Sequence, residues 1–514
     1  MRKIKLSLLI ITMLILRINS QTTINLHVDQ AKTKINKEIY GQFAEHLGNC
    51  IYGGIWVGQH SDIPNINGYR ADVLQALKEL HIPVLRWPGG CFADEYHWMD
   101  GIGPTDKRPK MVNTNWGGVT EDNSFGTNEF LNLCEMLGCE PYISGNVGSG
   151  TVKELAQWIE YMTSDSDNPM AQLRRQNGRE KPWKVKYIGV GNESWGCGGN
   201  MTPDYYSDLF RRYSTYCREY NGNHLFKIAS GASDYDYNWT ETLMKDVGTR
   251  MNGLSLHYYT VKGWNGSKGS ATDFDLQDYY WTMEKCLEIK DVIKKHMAIM
   301  DKYDPHKNVG LMVDEWGTWW DQEPGTHPGF LYQQNTLRDA FVAALTLNIF
   351  NEYTERIKMA NIAQVVNVLQ SMILTKGDKM VLTPTYYVFD MYKVHQDALN
   401  IPIDIQCDSI DTGNRKIPSV SASASKDNKG IIHITLANIL PDKNQKTIIS
   451  LPIKMKGQPT GTILTADKIN SFNSFEHPNS VVPAKFNRMI KKDKQLIIDL
   501  PAKSILAIEI SLEN

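Results

Sequence analysis

The sequence predicts an α/β fold: a (β/α)8 TIM barrel followed by a C-terminal antiparallel β-sandwich (jelly-roll-like) domain. Three observations carry this expectation. Between residues 37 and 390, short apolar runs alternate with helix-period patterns and give eight strands, the signature of a closed parallel sheet. From about Ile403 onward strands follow one another without helices. Finally, two of the apolar runs, Tyr187-Ile-Gly-Val-Gly-Asn-Glu193 and Val309-Gly-Leu-Met-Val-Asp-Glu315, each end on a glutamate. The C-terminal ends of barrel strands are where this architecture holds its catalytic groups.

Residues 1–20 stand apart. Arg2, Lys3 and Lys5 precede the apolar run Leu8 to Leu16, a pattern expected of a cleaved signal peptide and too short for a stable anchor. Export to the periplasm or medium, with no membrane span after cleavage, is the expectation. Removing this segment, which holds four positive charges and no negative ones, moves the net charge from −2 to −6. An acidic chain without a basic stripe excludes nucleic acid and anionic membranes as partners. The remaining ~490 residues exceed one core and imply two domains. Eight cysteines are too sparse for a disulfide scaffold. With no CxxC and no HExxH, neither a metal nor a cofactor is expected. Cys134 and Cys139 read as core residues. Cys91 and Cys197 both lie just beyond predicted strand ends in Gly-rich loops and are expected close together, with bridging left open.

Taken in order, Thr22 to Val28 alternates apolar and polar residues. This lone strand has no helix behind it, so residues 21–36 are expected to join the sandwich. The barrel, 37–390, begins with Glu38 to Gly48, which carries Glu45 and His46. Helices are predicted over Arg70–Leu80, Thr127–Leu137, Val152–Met162, Pro203–Tyr220, Phe274–Met300 and Asn335–Asn348 from their 3.6-residue periodicity. Between them come strands leading to Arg86, to Asn146, to Glu193, across Phe226–Ser233, across Gly253–Tyr259, to Glu315, and across Met359–Leu369. Glu193 thus closes the fourth strand and Glu315 the seventh. The sandwich, 391–514, contains Ile431–Leu436, Thr447–Leu451, Leu496–Leu500 and Ser504–Ile510, punctuated by Pro, Gly, Asn and Lys. Gly263 to Ser270 reads as a mobile loop on the active face.

Either glutamate alone is as readily a salt-bridged loop residue, but the pair points to glycoside hydrolysis. Retention requires one carboxyl to act as acid/base and a second, about 5 Å away, to attack the anomeric carbon. The donor needs a raised pKa while the nucleophile stays ionised. Asn192 is placed to bond a sugar hydroxyl and Tyr259 to orient Glu315, while Arg86 is placed to hold the nucleophile ionised or, equally well taken alone, to form a salt bridge of the barrel rim. Glu45, Asn146, His257 and Gln364 face the same mouth. Trp56, Trp98, Trp116, Trp195, Trp316, Trp319 and Trp320 fall in or beside these loops, where sugar faces stack on rings, although for any one of them packing is at least as good an account. Asp94, Glu95, Asp314 and Glu323 read as loop or supporting acids, and strand alternation should turn Asp314 away from Glu315.

Several of these segments together resemble glycoside hydrolase family 51. They are Gly41-Gln-Phe-Ala-Glu-His-Leu-Gly48 with Ile51-Tyr-Gly-Gly-Ile55, Leu85-Arg-Trp-Pro-Gly-Gly90, Phe125-Gly-Thr-Asn-Glu-Phe130, Gly191-Asn-Glu193, Val313-Asp-Glu-Trp316, Asn361-Ile-Ala-Gln-Val-Val-Asn367, Thr383-Pro-Thr-Tyr-Tyr-Val-Phe389, Ser471-Phe-Asn-Ser-Phe-Glu-His-Pro478 and Val481-Val-Pro483. The resemblance spans nearly the whole chain beyond residue 20. It implies a retaining exo-acting α-L-arabinofuranosidase releasing terminal arabinofuranose from arabinoxylan, arabinan or their oligosaccharides, without a cofactor, with dimers or hexamers common in the family. It also implies Glu193 as acid/base, Glu315 as nucleophile, and Glu45, Asn192, Tyr259 and Gln364 around the arabinose, with His257 and Arg86 near the catalytic pair. Cys91 departs from the Asn that many members carry after Pro-Gly-Gly, so Cys91 and Trp316 are placed at the substrate wall without a family role. The alternatives are an endo-β-1,4-glucanase or xylosidase on the same scaffold, and a non-catalytic carbohydrate-binding protein, which would lack one of the glutamates.

Overall fold

The computed structural model describes residues 21–513, so the segment read as a signal peptide lies outside them. Strand β1 (Thr22–Leu26) opens the described chain. Eight parallel strands then close a barrel in chain order: β2 (Gly41–Phe43), β3 (Val84–Trp87), β4 (Glu140–Gly145), β5 (Tyr187–Val190), β6 (Phe226–Ser233), β7 (Gly253–Thr260), β8 (Gly310–Thr318) and β9 (Ile357–Ile362), with β9 pairing back on β2. Every residue of β5, β7 and β8 is buried, as expected where both faces of a parallel sheet are covered. Val84, Tyr142, Tyr187, Ile228, Met312 and Met359, one from each of six strands, fill the lower barrel and floor the site. The barrel is a packed core with a functional rim, not a pore.

The outer layer consists of α1 (Ala71–Leu80), α2 (Thr127–Leu137), α3 (Val152–Thr163), α4 (Pro169–Gln176), α5 (Pro203–Tyr216), α6 (Tyr237–Asp246), α7 (Leu276–Leu287), α8 (Ile289–Tyr303), α9 (Leu337–Glu352) and α10 (Pro384–Tyr392). Their ends follow local chemistry. Thr151 and Glu154 form a capping box at the start of α3, a feature contributing about 1 kcal/mol, and α2 stops at Gly138, whose φ of 70° suits glycine. The helix expected over Phe274–Met300 is two helices. It is interrupted at Glu288, where the Asp291 N–H bonds a carbonyl three residues back instead of four. Sequence periodicity runs straight through this one-residue interruption, which explains the merged reading. Helix α5 ends four residues before the expected Tyr220, at Tyr216, while α4, α6 and α10 were not anticipated.

The sandwich has two sheets. One is ordered β10 (Ile403–Gln406), β1, β13 (Gln445–Ser450), β16 (Gln495–Leu500) and β15 (Met489–Lys492). In it β1 runs antiparallel to β10 and parallel to β13. The other contains β11 (Val420–Lys426), β12 (Ile432–Asn438), β17 (Ser504–Leu512) and β14 (Met455–Thr465), flanked by two short strands. Alternate residues of the two inner faces, including Ile24, Leu26, Ile434, Leu436, Ile498 and Ile508, form its core.

Helix α9 is buried around almost its whole circumference because the sandwich sits on the side that faces solvent in an ordinary barrel helix. Its amides serve this junction: Asn348 donates to Ser421 and accepts from Thr435, while Asn351 donates to Ser423. His395, between Ser425 and Thr435, lies in the same junction, and burial pushes its pKa down to about 3. An unfolded histidine takes up its proton near pH ~6.5, so the folded chain binds fewer protons and loses stability as pH falls from there to about 3. His395→Gln should flatten this part of the Tm–pH curve. An unchanged slope in scanning calorimetry would show that His395 does not carry it.

Candidate active site

The rim is assembled from strand ends. Glu193 follows β5 in a turn where its own φ is 40°, in the left-handed region that a non-glycine residue adopts only when its neighbours impose it. Two clamps do so. Buried Asp94 accepts the N–H of Asn192 at 3.0 Å, and Ser230 on β6 accepts the N–H of Ser194 at 3.1 Å. Asp94 also accepts the N–H groups of Val147 and Gly148, while burial raises its pKa to about 7. The sequence placed Asp94 among supporting acids without this duty, which depends on a fold contact 98 residues away.

Glu315 receives Arg86 Nη1 on Oε2 at 3.0 Å and the Tyr259 hydroxyl on Oε1 at 2.8 Å. Arg86 also donates to Asn192 Oδ1 and to the Asp314 carbonyl, so one buried guanidinium ties β3, β5 and β8 together. His257 Nδ1 bonds Glu193 at 2.8 Å and lies 3.5 Å from Glu315. Carboxyl oxygens of Glu193 and Glu315 come within 4.8 Å of each other. Glu193 has a raised pKa, from burial first and from Glu315 nearby, opposed by His257. For His257, burial acts to lower the pKa, but Glu315, Asp314 and Glu193 outweigh it and hold it up at about 10.

The expected orientation of Asp314 is corrected. Its carboxylate also faces the barrel interior, accepting Ser255 Oγ at 2.5 Å and the Tyr142 hydroxyl at 2.6 Å. Register shifts between Val313 and Trp316 against β9, and between Ser255 and His257 on β7, break strict alternation.

A cavity of about 350 Å³ opens above these groups, near the lower end of the roughly 300–1,000 Å³ of small-molecule sites. Glu45, Cys91, Glu193, Tyr259, Glu315 and Gln364 line it, whereas Arg86, Asn192 and His257 are buried directly beneath these groups. Glu45 is fixed by the N–H groups of Phe92, Trp116 and Gln364, and burial together with Glu315 raises its pKa to about 7. A Cβ on Gly90 would approach the Glu45 carboxylate to 2.8 Å, which explains the Pro-Gly-Gly turn. Asn192 Nδ2 and Gln364 Oε1 are buried without protein partners.

Among the aromatics, Trp116, Trp195 and Trp319 line the cavity. Trp316 does not: it points outward and packs between Phe350 and Phe389, so its proposed place at the substrate wall is corrected. Trp56, Trp98 and Trp320 are packing residues. Asn146 braces the following loop through Tyr96 and Ser149. Trp264, about half exposed, was not singled out, yet it completes the wall against Trp319 at 5.4 Å. Its only sequence signal was membership of the Gly263–Ser270 loop. Cys91 and Cys197 are joined by a disulfide at the lip, closing a link between the β3 and β5 loops.

Two carboxylates at the ends of the fourth and seventh strands, close together over a small aromatic-lined cavity, define a glycoside hydrolase of the barrel type. Models of the α-L-arabinofuranosidase 1 domain and the α-L-arabinofuranosidase C-terminal domain match residues 76–276 and 314–504. The chain is 68% identical over 489 residues, 95% of each chain, to an intracellular exo-α-L-arabinofuranosidase of Bacteroides ovatus. It is 31% identical over 86% of its length to the α-L-arabinofuranosidase C of Emericella nidulans, covering 89% of that protein. Among solved structures it is similar to the family 51 arabinofuranosidase of Xanthomonas axonopodis pv. citri, with TM-score 0.94, 49% identity, and coverage of 96% of this chain and 100% of that one. The protein belongs to the α-L-arabinofuranosidases of glycoside hydrolase family 51.

The same comparison corrects the expected destination. A relative with 68% identity bears the name intracellular, which overturns the expectation of export. The basic start and short apolar run that prompted it are compositional features, and hydrophobicity alone does not fix an address. Among the described residues no helix is long and apolar enough to cross a membrane.

Proposed function

We propose that the chain removes single terminal arabinofuranosyl units from arabinoxylan, arabinan or derived oligosaccharides by double displacement. The observation carrying this reading is the approach of the Glu193 and Glu315 carboxyl oxygens to within 4.8 Å, compatible with retention and too close for an inverting pair, which stands roughly 6.5–9.5 Å apart. In this scheme Glu315 attacks the anomeric carbon while Glu193, whose pKa burial raises, gives its proton to the leaving oxygen. Glu193 then takes a proton from the water that releases the sugar. Arg86 and Tyr259 hold the Glu315 carboxylate in line. Asn192 Nδ2 and Gln364 Oε1, the buried donor and acceptor with no protein partner, together with Glu45, receive the ring hydroxyls. The catalytic unit on this reading is residues 37–390, with residues 21–36 and 391–514 forming the sandwich that buries α9.

Exo action is supported by the size of the cavity and by its aromatic wall of Trp116, Trp264 and Trp319. Hydrolysis of p-nitrophenyl α-L-arabinofuranoside, followed by proton NMR of the first-formed sugar, tests the reading. The α-anomer should appear first. First appearance of the β-anomer would overturn retention, and turnover of a β-glucan or β-xyloside with none of the arabinoside would favour the endo-glucanase or xylosidase reading.

A further inference from the structure

The Cys91–Cys197 bridge is not a remote staple. Cys197 Sγ lies 3.5 Å and Cys91 Sγ 3.9 Å from the same oxygen, Oε2 of Glu193. Cys197 is exposed and Cys91 half-buried, so the bridge is open to attack from solvent. The other carboxyl oxygen of Glu193 is engaged by His257, which leaves Oε2 turned to the two sulfurs.

These distances match a particular chemistry. In a tetrahedral zinc site with Zn–S near 2.3 Å and Zn–O near 2.1 Å, a sulfur and an oxygen ligand stand about 3.6 Å apart and two sulfurs about 3.8 Å. The two observed S···O separations bracket the first value. The second is blocked by the S–S bond and becomes reachable once it is cut. The displacement falls on the cysteine side chains: a Cβ on Gly196 would touch only one atom, at 3.7 Å, which leaves room beside Cys197, whereas Gly198 is packed against the Asn192 carbonyl and holds the backbone in place.

We propose that Cys91, Cys197 and the Oε2 oxygen of Glu193 form a redox-gated site for a soft divalent cation such as Zn2+ or Cd2+, closed while the disulfide is intact and inhibitory when it is reduced and loaded. The inference rests on the reading of Glu193 as the acid/base group. Opening the site needs a dithiol. Its thiolate attacks the exposed Cys197 sulfur, breaking the protein S–S bond and releasing Cys91 as a thiolate that takes a proton. The second thiol of the reductant then displaces Cys197, forming the cyclised disulfide of the reductant and leaving two protein thiols. Thiol-rich compartments supply such a reductant. The incoming cation displaces both thiol protons, and Glu193 must bind it as a carboxylate. Two thiolates, one carboxylate and a water make an open four-coordinate site. With Oε2 held by metal, Glu193 has no proton to give to the leaving oxygen.

The test uses the full chain in two forms, untreated and reduced with a dithiol that is then removed under argon. Each is titrated with Cd2+ while the cadmium–thiolate absorption in the ultraviolet is recorded, and with Zn2+ while arabinoside hydrolysis is followed. The reduced form should show one thiolate-bound cadmium per chain and lose activity at least ten-fold, with chelator restoring it. The untreated form should show neither effect. In reduced Cys197→Ser the ratio of rates with and without metal should return towards one, whatever that variant's own rate. Equal inhibition of both forms, inhibition without thiolate absorption, or inhibition that survives Cys197→Ser would place the metal on Glu193, His257 and Glu315 and overturn the proposal. Because cadmium binding is read without substrate, absence of arabinoside turnover in the metal-free chain would count against the functional reading alone.

Discussion

Glu315→Ala should lower kcat for p-nitrophenyl α-L-arabinofuranoside by about 10^4–10^6-fold, because deletion of an attacking group leaves only binding and electrostatics. Glu193→Ala should lose about 10^2–10^4-fold, the usual range for a general acid/base. Azide separates the two. In Glu193→Ala the activated phenolate still leaves and the glycosyl-enzyme forms. Azide, needing no base, then attacks the anomeric carbon, and glycosyl azide accumulates as the rate recovers. In Glu315→Ala no such intermediate exists to be intercepted. Azide that enters the space left in Glu315→Ala can only displace the phenolate directly and give the inverted glycosyl azide, so a retained azide from Glu315→Ala, or an inverted one from Glu193→Ala, would reverse the assigned roles. Both side chains reach into an open cavity, so far-ultraviolet circular dichroism should be unchanged and activity loss should not be confused with unfolding.

Arg86→Met should act on stability as well as rate. The guanidinium is buried, donates to Glu315, Asn192 and the Asp314 carbonyl, and packs 4.5 Å from the Phe43 ring. Methionine fills a similar volume but leaves buried carboxylates without their cation, a loss of about 3–5 kcal/mol. Burial by itself would raise the Asp314 pKa, yet Arg86, His257 and Ser255 hold it at about 2. A depressed carboxylate adds stability above its unfolded pKa of about 3.9, and that contribution disappears as pH falls through the folded value. Without Arg86 the Asp314 pKa rises, so acid unfolding should begin at higher pH. The rate should drop by about 10^2–10^3-fold, the range for removing one preorganised donor. Arg86→Lys keeps the charge but not the fork that reaches Glu315 and Asn192 at once, so it should recover stability better than rate. An Arg86→Met protein with wild-type acid stability would show that the cation is not what holds Asp314 down.

The sequence by itself determined the barrel, the sandwich and the positions of Glu193 and Glu315. These rest on short-range regularities: apolar runs of strand length, helix-period patterns between them, and a glutamate where each of two runs stops. Glu45, Arg86, Asn192, His257, Tyr259 and Gln364 were legible for the same reason, since each sits at or just past a strand end. Only the tertiary structure decided the rest. Asp314 turns inward because register shifts against neighbouring strands break alternation, and no single-strand pattern records its partners' register. Trp316, by contrast, is turned outward by ordinary alternation after the inward-facing Glu315, and it is the fold that supplies Phe350 and Phe389 for it to pack against. Trp264 reaches the cavity only because its loop folds back on Trp319, and the Cys91–Cys197 bond exists because two loops 106 residues apart meet over Glu193. Local periodicity fixes which residues stand at the rim. Long-range pairing fixes which way they face and what they touch.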